Sequence, residues 1–459
     1  MSEQEDETAV ERATARVRGA VLTAADPGFD EARRVWNDKV DTQPFAIIKC
    51  TGPADVIEGL DLAETLDRQV SVKCGGHQTS GDAILEDGIV LDLSPMNAVH
   101  VDPQRQTVRV GGGATWGDVY HETVPFGLVP PGGFDDGVGV GGFTLGGGQG
   151  VVVRTEGMAC DCLREVDIVT ADGRLLTASE EEHPDLFWAL RGGGSVGFGV
   201  VTSFVFDCFS LPFEVATATA YYSLSDGPAV FRTFRDHMED IPDEVVPTIG
   251  ILTLPELPGI PKADVGSLGV YLYLLYVGDT AGADAAFAPL LESVDPLTVH
   301  RAEIPITETF GPSPSGVRRQ WESLYLEDIT DDLIETIFEE IPPFPTPEST
   351  IALFGFGDLT NRYGPADTAY AHRESPYQLM IGVNWEDPDD DKSNRDWALE
   401  THATLTDHGS GEYVNLQTAT DRDRAKAAFG DNLARLKKIK AEWDPENRFD
   451  TGPSLVADQ

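Results

Sequence analysis

The sequence predicts an α+β protein built in two parts, and three observations lead to this fold class. The chain has 459 residues, which is enough for two or three domains. Strand-like and helix-like segments alternate along the chain without an internal repeat. Glycine is dense up to about Phe209 and sparser beyond it, which predicts a glycine-rich first part followed by a different second part.

The first part is predicted to combine short strands with few helices. Residues 45–50 and 69–74 have strand patterning, and Pro53 to Arg68 between them is typical of a helix with proline in its first turn. The acidic residues 1–37 precede this part, and we expect a tail or a frayed helix there. Three further strand regions are predicted over residues 88–94, 100–112 and 163–178. One short helix is predicted over Ala114 to Glu122.

The second part is predicted to be an antiparallel sheet with helices. Its strands are expected over residues 216–224, 267–278 and 377–385, and its helices over Ala229 to Glu239, Ala283 to Leu291 and Asn394 to Thr406. Residues 341–350 are rich in proline and are predicted to form a loop. A last helix is predicted from Asp421 to Glu442.

The charge balance excludes some partners and indicates a habitat. The 78 acidic residues outnumber the 33 basic ones, which gives a formal net charge of −45. A surface of this sign repels nucleic acid and anionic membranes, so neither is expected as a partner. The acids are spread along the whole chain, as in a solvated acidic shell that needs salt to screen its self-repulsion. We therefore expect a protein from a halophilic organism.

The N-terminus and the cysteines bear on location and metal binding. The first residues are acidic where a secretory signal is basic, and no apolar run reaches the length of a membrane helix. An odd number of cysteines, five, favours reduced thiols. Cys160 and Cys162 form a C-x-C pair without further ligands at suitable spacing, so no metal site is predicted. The expected location is cytoplasmic.

Three glycine-rich stretches carry the functional prediction. They cover residues 73–81 (KCGGHQTSG), 131–150 (PGGFDDGVGVGGFTLGGGQG) and 191–202 (RGGGSVGFGVVT). Glycines after a strand let backbone N–H groups converge on an anion such as a pyrophosphate. Neither a G-x-x-x-x-G-K-[ST] phosphate loop nor a Rossmann G-x-G-x-x-G site is present. Three such stretches in order therefore favour a long cofactor threaded through a two-part domain.

Specific motifs then connect the chain to a known family. They include DLFWALRGGG in residues 185–194, the Y-V-N of residues 413–415 and DPENRF in residues 444–449, and with the glycine stretches they run in family order. The sequence resembles the berberine-bridge-enzyme-like branch of the vanillyl-alcohol-oxidase/PCMH flavoproteins. The resemblance implies a PCMH-type FAD-binding domain of two subdomains over residues 38–210 and a substrate domain over 211–410. It also implies a berberine-type segment, 411–459, that returns to the FAD domain.

The resemblance implies FAD as the cofactor, attached covalently through His77. Gly75 to Gly81 are implied to cradle the pyrophosphate, Gly141 to Gly148 to line the flavin ring and ribityl chain, and Val201 to contact the adenine side. Two residues near the C-terminus are implied to return to the ring. The complete cofactor set is His77, Gly75, Gly76, Gln78, Thr79, Ser80, Gly81, Gly141, Gly142, Thr144, Gly146, Gly147, Gly148, Val201, Tyr413 and Asn415.

The sequence departs from the family at three positions. Many relatives attach the flavin a second time through a cysteine, and Asp135 stands in that place. Relatives use a Tyr or a Glu as the proton acceptor, and Leu416 and Gln378 occupy those positions. Neither side chain accepts a proton, so no catalytic base is assigned. Tyr413 would serve only with a lowered pKa, and a packing or hydrogen-bonding role is favoured for it.

These residues predict an FAD-dependent oxidoreductase, either an oxidase or a dehydrogenase. The first hypothesis is hydride transfer from a CH–OH donor such as a sugar or a secondary alcohol, with oxygen or another acceptor reoxidising the flavin. The alternatives are oxidation of a C–N or C–C bond in a small metabolite, or a flavin electron carrier without turnover of its own.

Overall fold

The first subdomain is a small mixed sheet covered by helices. The computed structural model describes residues 3–312, 314, 316–357, 362–417, 422–450 and 455. In the sheet, of order β1-β2-β4-β3, the strands β2, β4 and β3 are parallel and β1 is antiparallel. Its elements are α1 (Glu3–Arg16), β1 (Ala20–Leu22), α2 (Phe29–Ala32), β2 (Ala46–Lys49), α3 (Pro53–Leu66), β3 (Val70–Lys73) and β4 (Ile89–Asp92).

The second subdomain is an antiparallel sheet of order β5-β6-β10-β8-β9. Helices and the loops that carry the second and third glycine stretches pack against it in one apolar core. Its elements are β5 (Val99–Asp102), β6 (Thr107–Gly111), α4 (Trp116–Thr123), β7 (Leu128–Val129), α5 (Val140–Leu145), α6 (Val153–Glu156), β8 (Leu163–Thr170), β9 (Leu175–Ser179), α7 (Pro184–Leu190), β10 (Gly199–Asp207) and β11 (Phe209–Ser210), which pairs with β7.

The second part of the chain forms a seven-stranded antiparallel sheet of order β15-β12-β14-β13-β17-β18-β16. Alternate side chains of its strands pack on four helices in a second core, as the period of two along a strand requires. The elements are β12 (Glu214–Ser223), α8 (Gly227–His237), β13 (Val245–Thr253), β14 (Leu268–Tyr276), α9 (Ala283–Leu291), β15 (Thr298–Pro305), β16 (Arg318–Leu326), α10 (Asp331–Glu339), β17 (Thr350–Gly355), β18 (Tyr377–Trp385) and α11 (Asp391–Leu405).

The C-terminal segment returns to the first part of the chain. It contains α12 (Arg422–Phe429) and α13 (Leu433–Trp443), and α13 packs on α7. The buried ammonium group of Lys440 donates to the carbonyl oxygens of Gly197, at 2.7 Å, and Phe449, at 2.8 Å. Its ion pair with Asp444, at 2.7 Å, balances the buried charge. These contacts attach the segment to the third glycine stretch.

The predicted α+β class is confirmed, and two local predictions differ from the structure. The single helix expected over 421–442 is wrong, because Gly430 has a φ of +47° and separates α12 from α13; Asp421 itself lies outside the described residues. The N-terminal segment is more ordered than a frayed tail. Ala9 and Ala13, one helical turn apart on α1, are buried against α3. Over the described ranges, no helix has the length and apolar character of a membrane span.

Candidate functional site

A cavity of about 430 Å³ lies between the two glycine-rich subdomains and the open face of the large sheet. Parts of all three glycine stretches line it, and so does the segment 413–416 from the C-terminal region. Another part of the wall comes from β13, β16, β17 and β18, whose other face packs on the helices. The fold therefore brings together chain segments that are far apart in sequence.

Glycine is required where the first and second stretches meet. A Cβ atom on Gly75 would lie 2.4 Å from the backbone nitrogen of Gly139, and one on Gly139 would lie 2.3 Å from that of Gly75. Real Cβ atoms do not approach backbone this closely, so any side chain would push the two loops apart. Gly142 differs, because a Cβ there would meet no protein atom within 4 Å. Gly142 lines the cavity, so a side chain would occupy space that a ligand can use.

Buried hydroxyl groups without partners also indicate a ligand. Thr79 of the first glycine stretch and Ser195 of the third line the cavity. The side-chain oxygen of each is buried and has no hydrogen-bond partner in the protein. Burying a hydroxyl without a partner costs about 1–3 kcal/mol. A long ligand with phosphate and ribityl oxygens would satisfy both groups. The residues present therefore fit FAD.

Asp82 adds a titratable group to the cavity wall near the first stretch. Burial raises its pKa to about 6. The carboxyl group is therefore neutral below that pH. A neutral carboxyl group there would not repel a phosphate bound at the first glycine stretch.

His77 lies on the cavity wall with its imidazole ring fixed on two sides. The ring stacks on Trp36 at a centroid distance of 4.1 Å and an angle of 21°. Its Nε2 atom is 3.5 Å from Oδ1 of Asp135, which the backbone N–H of Gly137 holds by a 2.8 Å hydrogen bond. A ring held in this way has one nitrogen facing a carboxylate.

Tyr413 and Asn415 tie the C-terminal segment to the second glycine stretch. The Tyr413 hydroxyl accepts 3.0 Å hydrogen bonds from the backbone N–H of Gly148 and from Nδ2 of Asn415. Asn415 also donates to the carbonyl oxygen of Phe143 at 3.0 Å. Burial raises the pKa of Tyr413 far above its ordinary value, although both donors oppose the shift. The hypothesis of Tyr413 as a base with a lowered pKa is therefore contradicted.

The wall contributed by the large sheet is mostly apolar, and its polar side chains are Thr248 on β13 and Gln378 on β18. Phe354, Met380 and Trp321 line it, and Leu416 closes it from the C-terminal segment. Gln378 is fully buried in this wall, and neither its Oε1 nor its Nε2 atom has a hydrogen-bond partner. Among the described residues, the lining strands of the sheet contribute no ionisable side chain to the cavity.

The structure places many, but not all, of the residues expected at the cofactor on the cavity wall. Gly75, Gly76, His77, Gln78, Thr79, Gly141, Gly142, Val201, Tyr413 and Asn415 line it. Ser80, Gly81, Thr144, Gly146, Gly147 and Gly148 belong to the same loops but are not on the wall. Gly146 instead gives room to Asn415, since a Cβ there would lie 1.9 Å from the Asn415 side-chain oxygen.

Sequence reasoning missed several residues of the wall. Trp36, Ser195, Trp321, Phe354 and Met380 line the cavity without having been predicted. Side chains two positions apart on a strand lie on the same face of the sheet, so Gln378 on β18 indicates that Met380 shares its face. The packing of Trp36 on His77 has no counterpart in local sequence.

Comparison with known proteins agrees with this architecture. The family model of the FAD binding domain matches residues 44–179, and the model described as berberine and berberine like matches residues 412–455. The FAD-linked oxidoreductase YgaK of Bacillus subtilis is 28% identical over 446 residues, which cover 95% of this chain and 96% of that protein. The chain therefore contains an FAD binding domain and a berberine-like C-terminal segment, and it is similar to FAD-linked oxidoreductases over nearly its whole length. FAD as the cofactor and the oxidoreductase class are thereby confirmed.

Solved structures extend the comparison. A 6-hydroxy-D-nicotine oxidase from Arthrobacter nicotinovorans superposes with a TM-score of 0.83 at 26% identity, covering 96% of this chain and 98% of that one. A xylooligosaccharide oxidase from Myceliophthora thermophila superposes with a TM-score of 0.84 at 24% identity, covering 99% and 100%. At 24% identity, the comparison with the xylooligosaccharide oxidase shows a shared fold. The two solved structures are named as oxidases that act on different donors.

Proposed function

We propose that FAD lies along the glycine-lined cavity, linked covalently and only once, through His77. Residues 38–210 and 411–459 would hold it, and residues 211–410 would supply the wall facing the substrate. The place of His77 on the wall and the unpartnered hydroxyls support this proposal. Asp135 stands where many relatives have the second linking cysteine, and a carboxylate cannot form that thioether.

The proposed reaction is oxidation of a CH–OH group in a small, weakly polar donor. When bound, FAD supplies the ring that accepts the hydride. Gln378 carries this proposal, because its buried Oε1 atom can accept a hydrogen bond from a donor hydroxyl. The apolar residues around it, such as Phe354 and Met380, suit a compact alcohol better than a heavily hydroxylated oligosaccharide. Dioxygen is the proposed electron acceptor, which would yield hydrogen peroxide.

A second candidate is oxidation of a C–N bond. It is favoured by the absence of an ionisable side chain on the described sheet wall, since a neutral amine needs less help with a proton than an alcohol does. The structural neighbour named as a 6-hydroxy-D-nicotine oxidase is consistent with such a donor. An electron carrier without turnover is less favoured, because the two neighbours compared above are named as oxidases.

Anaerobic bleaching of the flavin separates these candidates. The purified protein is mixed with sugars, secondary alcohols and amines, and loss of flavin absorbance is followed before air is admitted and peroxide is measured. We expect small alcohols to bleach the flavin. Gln378→Leu should raise KM about 10- to 100-fold, since a lost hydrogen bond to the donor corresponds to about 1–3 kcal/mol. Met380→Leu, on the same wall, is the matched control. Bleaching by amines alone would favour the second candidate, and bleaching by none would contradict both.

We further propose that the protein works in the cytoplasm of a halophilic organism. The five cysteines are unpaired thiols, which suits a reducing compartment. The net charge of −45 suits a salt-rich one.

Stability is expected to depend strongly on salt. In dilute buffer the acidic surface repels itself over a long Debye length, so structure and activity should be lost below about molar salt. Thermal unfolding is followed by circular dichroism at increasing NaCl, with sucrose of equal osmolality as the control for solvent exclusion. Because NaCl screens the surface charges and sucrose does not, NaCl should raise the unfolding temperature far more than sucrose does. Full stability in low-salt buffer would contradict the halophilic origin.

A further inference from the structure

We propose that Asp135 is a positioning residue for the covalent attachment of the flavin: it keeps the proton of His77 on Nε2, so that Nδ1 forms the bond to the 8-methyl carbon. This inference rests on the proposed anchor at His77. The carboxylate would thus have a function in forming the single link.

The geometry around Asp135 fits this role. Oδ1 of Asp135 lies 3.5 Å from Nε2 of His77, and both residues line the cavity. The side chain of His77 is 16% exposed and that of Asp135 is 21% exposed, so solvent screens the pair only in part. The 2.8 Å hydrogen bond from the Gly137 N–H fixes the oxygen that faces the imidazole. In a neutral imidazole the group facing one nitrogen decides which nitrogen carries the proton. A carboxylate facing Nε2 leaves the lone pair on Nδ1.

Neighbouring aromatic and cationic side chains hold the ring plane. Trp36 stacks on His77, and the guanidinium carbon of Arg319 lies 3.8 Å from the centroid of the Trp36 ring. Arg319 is itself fixed by hydrogen bonds to the carbonyl oxygens of Trp36 and Val317, both at 2.7 Å. Trp321 packs edge-on against Trp36 at 5.1 Å. The stack holds the plane of the imidazole, and within that plane Asp135 favours the ring orientation that places Nε2 at its carboxylate.

The chemistry of attachment balances with dioxygen as the oxidant. One C–H bond of the 8-methyl group breaks and one N–C bond to Nδ1 forms, and the electron pair of the C–H bond reduces the ring system. The imidazole, now bonded at Nδ1, releases the Nε2 proton toward Asp135. That proton and the methyl proton, with the two electrons, finally leave as hydrogen peroxide when dioxygen reoxidises the ring. Asp135 contributes at two points: it sets the tautomer, and it receives the proton.

Covalent incorporation is the direct readout. Apo-protein of the full chain, produced under riboflavin limitation, is mixed with FAD in air, and flavin that stays with acid-precipitated protein is measured against time. Asp135→Asn keeps an acceptor for the Gly137 N–H but removes the charge, so incorporation should slow at least tenfold. Non-covalent FAD binding, followed by fluorescence quenching, should be unchanged. Asp135→Ala should behave alike, while Asp136→Asn in the same loop should match the unsubstituted protein.

The site of linkage provides a second readout. Isolated flavin peptide from the unsubstituted protein should carry the flavin on Nδ1, as identified by nuclear magnetic resonance. Linkage at Nε2, or incorporation into Asp135→Asn at the unsubstituted rate, would overturn the role of Asp135 while leaving the anchor intact. Tightly bound FAD that never becomes acid-stable in the unsubstituted protein would overturn the anchor as well. If both Asp135 variants lost non-covalent FAD binding too, a structural role would replace the proposed one.

Discussion

Replacing His77 with alanine is expected to reduce acid-stable flavin to background while leaving the fold and non-covalent FAD binding in place. The glycine cradle does not depend on the imidazole, since the close approach of Gly75 to Gly139 is made by backbone. Loss of the stack on Trp36 should lower the free energy of unfolding by only about 0.5–1.5 kcal/mol. Flavin fluorescence of acid-precipitated protein and FAD stoichiometry after gel filtration measure the two effects.

The same variant tests what the covalent bond does to the cofactor. A histidyl substituent withdraws electron density from the ring, so His77→Ala should lower the flavin potential and slow reduction by a poor donor. His121→Ala is the matched control, because the His121 side chain is 84% exposed, away from the cavity wall. Acid-stable flavin that persists in His77→Ala would show that another residue forms the link.

The cofactor side of the site was largely predictable from sequence because its determinants are local. The strand β3 leads directly into Gly75, Gly76 and His77, and strand patterning and glycine density are both visible in one short window. The position of Asp135 was also visible as a departure in the second stretch. Its contact with His77 was not, because the two residues are 58 positions apart and only the folded chain brings their loops together.

The substrate side could be predicted only in part because it is made by pairing between distant strands. Gln378 on β18 stands opposite Phe354 on β17 and Tyr325 on β16, and this register depends on the whole sheet. Alternation along one strand shows which residues share a face, but it does not show which strands are neighbours. The stacking of Arg319 on Trp36, which are 283 positions apart, likewise has no local signal.

Breaking the buried ion pair between Asp161 and Arg373 is expected to cause the largest loss of stability. The two side chains are 1% and 0% exposed, and two hydrogen bonds of 2.5 Å join the guanidinium group to both carboxylate oxygens. Burial alone would lower the pKa of Arg373, but the hydrogen bonds and charge of Asp161 outweigh it and raise that pKa. Removing one partner leaves an uncompensated buried charge, so Asp161→Ala should cost about 3–5 kcal/mol of unfolding free energy.

This ion pair also joins the loop that follows the second glycine stretch to the segment that leads into β18, so its loss should reach the cofactor. Asp161 follows the second glycine stretch, and Arg373 lies just before β18, the strand that carries Gln378. Asp161→Ala should therefore weaken FAD retention along with stability, as measured by urea unfolding and by flavin release. Arg301→Ala is the control: its ion pair with Asp284 is exposed, and its loss should cost no more than about 1 kcal/mol. Equal losses in the two variants would contradict the prediction. A partial recovery in the double variant Asp161→Leu, Arg373→Met would support it, because the penalty arises from the unpaired charge more than from the missing contact.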